Sequence, residues 1–223
     1  MSTLSAGLAA AWTLGGVLLL FGEAGSHPWW DVVWVLLLTV TAYVGLVAVE
    51  GLSRARLCAG VVLVVFAGMV VFTALTGWPF GPLRFAGPTA LRLGNAFPLL
   101  PPLLCFALLS LSQRAAGVAF PALGVGGLAL VTSGLFTLTL LNGLAFLAKV
   151  RLWWLWNPWG DGAAILPGLA GLAALALAAF FLARIYPVDS ALKLSRWSAA
   201  GGVLIAVNGL FFAGNGVVFF VRL

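Results

Sequence analysis

Seven apolar runs, near residues 7–22, 30–52, 57–77, 96–112, 117–147, 163–184 and 197–221, follow one another with short polar breaks. A helix needs roughly 20 apolar residues to cross a hydrocarbon core about 30 Å thick, where no water satisfies an open backbone. The runs therefore predict an all-α, polytopic transmembrane helical bundle of about seven spans. The fifth run is too long for one span. Its pieces, AAGVAFPALGVGG and LALVTSGLFTLTLLNGLAFLAKV, read as one tilted helix bent at Pro121 or as a broken helix with a half-span, which keeps eight as a reserve count. So many spans in 223 residues leave room for one membrane domain over 1–223 and no soluble one. Residues 1–22 carry no charged side chain, unlike the basic start of a signal peptide, and read as a retained first span.

Composition agrees: 63% of residues are hydrophobic and 7% charged, where a soluble domain carries about 25% charged residues. The net charge of +6 does not imply nucleic acid, because the eleven Lys and Arg stand singly or in pairs at the ends of apolar runs. There they reach headgroups and are attracted by anionic lipid. With seven spans, Arg54, Arg56, Arg114, Arg184, Lys193 and Arg196 share one side, and Arg84, Arg92, Lys149, Arg151 and Arg222 the other. Six against five makes the first side cytoplasmic and puts the N-terminus there too. The expected setting is the cytoplasmic membrane of a prokaryote.

Most catalytic constellations are missing from the sequence. The single histidine, His27, excludes a His-rich di-iron site, and no Walker A, dinucleotide or GxSxG pattern occurs. Cys58 and Cys105 have no paired spacing and read as buried thiols. Of five acids, Glu50 with Arg54 one turn later reads as an interfacial i,i+4 pair, and Asp189 as a turn residue. Asp161 follows a tryptophan cluster and precedes an apolar run with no further charge until Arg184. A carboxyl at the mouth of an apolar bundle is held protonated by desolvation and donates a proton; the other reading is a loop cap. The embedded amides Asn95, Asn142, Asn208 and Asn215 hydrogen-bond between helices or hold a water.

Ten tryptophans gather mostly at span ends. Single ones fit an interfacial belt, whereas WWLWNPWG, with Trp154 and Trp156, fits either a belt or a flat wall for a long apolar ligand. The loop TGWPFGPLRF, residues 76–85, holds two prolines and two glycines, so no helix passes through it. It reads as a lid in which Trp78 and Phe80 dip into the bundle, or as a rigid connection between two helices.

The run TGWPFGPLRFAGPTALRLGNAFPLLPPLLCFAL resembles the membrane carotenoid-biosynthesis family that includes the CruF-type carotenoid 1,2-hydratases. The likeness rests on a TGxPFGxYxY stretch, a GP pair and a proline-bearing apolar helix, matched by Thr76, Gly77, Pro79, Phe80, Gly81, Gly87, Pro88, Pro98 and Pro101, whereas the two tyrosines are absent, with Leu83 and Phe85 nearby. Trp154 and Trp156 match a WxW pair further on, and the likeness extends over roughly residues 57–187. It implies a hydratase-like protein that binds or hydrates the apolar end group of a linear carotenoid without an organic cofactor or metal. Pro79, Phe80, Gly81 and Trp78 would shape the cavity, Trp154 and Trp156 would line it, Asp161 would supply the proton and Asn142 would hold the water. This chain departs from the family where acids are usual: it reads MVVFTAL before TGWPFG and LLNGLAFLAKVRL before WLW. The alternative is a non-catalytic pigment- or lipid-binding subunit that packs against a membrane-protein partner.

Overall fold

A computed structural model describes residues 28–79, 92–93, 97–146, 165–187 and 204–211, together with positions 11 and 14. The expected first span apart from positions 11 and 14, and Phe80, Gly81, Trp154, Trp156 and Asp161, lie outside the described residues. The described chain is helical apart from one two-residue antiparallel pair. Helices α1 (Pro28–Glu50) and α2 (Leu52–Thr76) precede the strands β1 (Arg92–Leu93) and β2 (Phe97–Pro98); α3 (Leu100–Ala119), α4 (Val125–Phe146) and α5 (Ile165–Ile185) follow. Residues 204–211 are also helical. Four of these helices are long and apolar enough to cross a membrane, and α5 contributes a shorter apolar stretch, Leu169–Ile185.

Each helix buries a stripe whose spacing is visible in the sequence. In α1, Trp34, Leu38, Ala42 and Leu46 recur every four residues and are buried, while Val33, Leu36 and Val40 face outward. In α2, Ala55, Ala59, Val62, Phe66 and Thr73 form the inner face, and Leu57, Val64, Val71 and Leu75 the outer one. Hydroxyls along these spans are satisfied locally: Thr39, Thr41 and Thr73 each donate to the carbonyl four residues back, at 2.7–2.8 Å.

A single residue, Gly51, separates α1 from α2. Its φ of +79° lies in the left-handed region that side chains resist, which is why a glycine serves here. The chain folds back at Gly51, since Leu46 and Glu50 of α1 meet Arg54, Cys58 and Val62 of α2 around one notch against α3. At the opposite end Gly77, at φ +73°, closes α2 by donating its N–H to the Thr73 carbonyl at 2.7 Å.

The break between α3 and α4 differs from both readings of the long fifth run. α3 continues to Ala119, Pro121 sits in a turn, and α4 starts at Val125. The run is thus the end of one helix, a turn and the start of the next, neither a bent span nor a half-span. Proline removes a backbone donor and glycine weakens the helix, so together they stop it rather than bend it. Pro101 and Pro102 occupy the first turn of α3, where a missing N–H costs nothing.

Helix α3 lies in the middle, packed against α1, α2 and α4, while α5 packs on α4. Ser133 of α4 donates to the Ala176 carbonyl of α5 at 2.6 Å. The segment 204–211 closes on α4 and α1. Asn208 Nδ2 donates to Thr139 Oγ1 at 3.0 Å, and the Phe211 ring meets Trp34 edge to face at 5.9 Å. A Cβ on Gly143 would stand 2.8 Å from that ring, so only glycine permits this approach. Close packing and interhelical hydrogen bonds of this kind are what lipid leaves to hold helices together, since apolar area gains little by moving from lipid into protein.

Candidate functional site

Glu50, Arg54, Gln113 and Arg114 come together at the Gly51 end, where α1 and α3 finish, α2 begins and α5 ends. Glu50 prolongs the buried stripe Trp34–Leu38–Ala42–Leu46 by one more step of four, and this carries its side chain inward. The side chain is 5% exposed, against 49% for Arg54, its partner one turn on, whose Nη1 stands 3.2 Å from Glu50 Oε2. The second oxygen, Oε1, is buried and has no hydrogen-bond partner among the described residues. The predicted i,i+4 pair is therefore present, but it lies half inside the bundle rather than on its surface.

Arg114 faces the same region from α3. Helical side chains slant toward the N-terminus of their helix, so an arginine near the end of α3 directs its guanidinium back into the bundle. It is 4% exposed, and its Nη2 donates to the Ala42 carbonyl of α1 at 2.9 Å. That carbonyl has a second lone pair beyond the one used within its helix. Glu50 lies within electrostatic reach of this guanidinium and offsets its charge. One residue before it, Gln113 Nε2 donates to the Tyr186 carbonyl just after α5. Between these groups is a cavity of about 20 Å³, its polar wall made by Glu50, Arg54, Ser110 and Gln113.

The structure places the sequence-predicted residues elsewhere. Pro79 is buried immediately beyond the Gly77 cap, at the opposite end of α2. Trp78 is 56% exposed, its ring edge-on to Phe72 at 6.0 Å, so it stands outward as a belt residue does rather than dipping into the bundle. Asn142 is partly buried one turn before the end of α4, and α2 and α4 finish at the same end of the bundle. Among the described residues no group of three or more His, Cys, Asp or Glu side chains gathers to hold a metal.

Sequence reasoning missed the depth of Glu50 and of Arg114. The stripe of four-residue steps was the available signal for Glu50. For Arg114 the mistake was to end the helix at residue 112 and count the arginine as a flank; the Pro121–Gly124 turn marks the true end. The side on which Arg54, Arg56, Arg114 and Arg184 were grouped does correspond to one end of the bundle. Comparison with known families, curated proteins and solved structures finds no match to this chain, whose described residues form a mainly helical bundle with four helices long and apolar enough to cross a membrane.

Proposed function

We propose that the chain is an inner-membrane protein of about seven spans that binds the apolar end group of a linear carotenoid or related isoprenoid at its Gly77 end. In this reading it is a divergent, hydratase-like relative of the membrane carotenoid-biosynthesis proteins. The observation that carries the reading is the TGWPFG run. The left-handed cap at Gly77 and the burial of Pro79 support it, because they turn the motif's first residues back toward the bundle. In this reading Phe80 and Gly81 shape the cavity, Trp78 guards its outer edge, and Trp154 and Trp156 line it.

Hydration of an isolated alkene requires three things: a proton donor to make a tertiary cation, a water on the cationic carbon, and a dry cavity. Asp161 donates the proton to the less substituted carbon of the terminal double bond, which leaves the cation on the tertiary carbon. Water held by Asn142 bonds to the cation, and the proton that this water loses returns the carboxylate to its acid form. The second reading, a subunit that binds pigment or lipid without turnover, is favoured by the absence of acids from MVVFTAL and LLNGLAF, where the family carries them.

Expression in a host that makes linear carotenoids, followed by mass spectrometry of cell pigments and of what co-purifies in mild detergent, separates the two. A pigment heavier by one water is the expected result for the hydratase, and it should vanish in Asp161→Asn with the protein still folded. Bound pigment of unchanged mass selects the binding subunit. Neither bound nor altered pigment refutes both.

A further inference from the structure

We propose that the notch at the Gly51 end binds one water-sized hydrogen-bond donor on the Glu50 carboxylate. The donor is either water from the membrane interface or the primary ammonium of a lipid headgroup. This site is independent of the isoprenoid reading and lies at the other end of the bundle.

Size comes first. The cavity measures about 20 Å³, and one water needs roughly 10–15 Å³ of such volume. A quaternary ammonium is several times too large and has no N–H to give, so a choline headgroup does not fit.

Chemistry selects the rest. An ionised carboxylate only accepts hydrogen bonds and has about four lone-pair sites. In Glu50 one oxygen meets Arg54 and the other meets no described residue, although the side chain is 95% buried. A buried carboxylate oxygen without a donor is costly, whereas the same oxygen bonded to a small donor is not. The wall opposite supplies a hydroxyl on Ser110 and an amide on Gln113, while Leu46, Phe106 and Leu109 close the inner side. An anion is rejected by the carboxylate itself. A free metal cation is disfavoured by the guanidinium groups of Arg54 and Arg114, which already offset the one negative charge.

The bundle carries its own reporters. Cys58 lines the notch and Cys105 does not, and both are buried free thiols. Radiolytic hydroxyl-radical labelling oxidises side chains beside bound water, with a probe no larger than the site. In phosphatidylcholine nanodiscs, Cys58 should be oxidised about tenfold or more faster than Cys105, exposure to the oxidant being what separates two buried thiols. Adding phosphatidylethanolamine assigns the source: a loss of more than about half of the Cys58 signal identifies the lipid ammonium occupying a water-sized site, and an unchanged signal identifies water. Cys58 as silent as Cys105 in both membranes overturns the proposal.

Ser110→Val supplies a second test by filling the cavity. If a donor is bound, the variant should melt lower by roughly 2–4 °C in the wild-type background than in Glu50→Gln, where the charge-assisted bond is gone. A variant that melts higher, as filling a dry void would produce, or equal shifts in the two backgrounds, overturns the proposal as well.

Discussion

Helices α2 and α3 are neighbours of similar length, and they invert the rule that the more apolar helix is the more buried. The apolar stretch of α3 has the lower mean hydropathy, 1.3 against 2.4, yet 78% of it is buried within the bundle against 33% for α2. In water that order would be perverse. In lipid it is the expected one: the outward face must be apolar to meet acyl chains, and the interior alone can pair polar groups with one another. Thus α3 carries Ser110, Ser112 and Arg114 at buried positions, and the exposed face of α2 carries Leu57, Val64, Val71, Phe72 and Leu75.

The largest effect should come from taking the polar interior apart. Arg114→Ala removes the charge-assisted donor to the Ala42 carbonyl and empties the space of a buried side chain, and a large-to-small substitution at a buried position costs about 2–5 kcal/mol. Chemical denaturation in mild detergent should show a loss of that size, and a change under about 1 kcal/mol would mean that Arg114 is effectively solvated, as exposed pairs are.

The mirror experiment places the same residue on the other helix. Val64→Arg puts a guanidinium on the outward face of α2 at mid-span, where insertion scales charge about 2.5–3.5 kcal/mol for it. A fall in membrane-inserted protein is expected, while insertion at the normal level would mean that another surface covers this face.

The smallest effect lies on that outer face. Leu57→Ala should change stability by no more than about 0.5 kcal/mol, because lipid chains replace the contacts that the side chain loses. A cost approaching the 2–5 kcal/mol of a core Leu→Ala would reveal a protein contact at Leu57 and remove α2 from the periphery.

What the sequence by itself determined is the class of the molecule and most of its helices. Length and apolarity per run decide whether a helix can cross lipid, and both are local properties. The stripes at Trp34–Leu46 and Ala55–Thr73, the end of α2 at Gly77 and the prolines opening α3 are likewise local, whereas the break at Gly51 falls inside the run 30–52 and appears only in the structure. The pair Glu50–Arg54 was legible as two opposite charges four residues apart, although the break at Gly51 puts them on successive helices.

Only the tertiary structure decided that α3 is central, that Arg114 points into the bundle and that Glu50 closes a cavity with residues from α2, α3 and the end of α5. Hydropathy averages over all faces of a helix and cannot say which neighbours cover it, so a polar helix at the centre and a polar helix at the edge score alike. Which charge meets which carbonyl depends on helix order and depth, quantities set by contacts between residues as distant as Ala42 and Arg114. The sequence carries both partners, and packing alone brings them together.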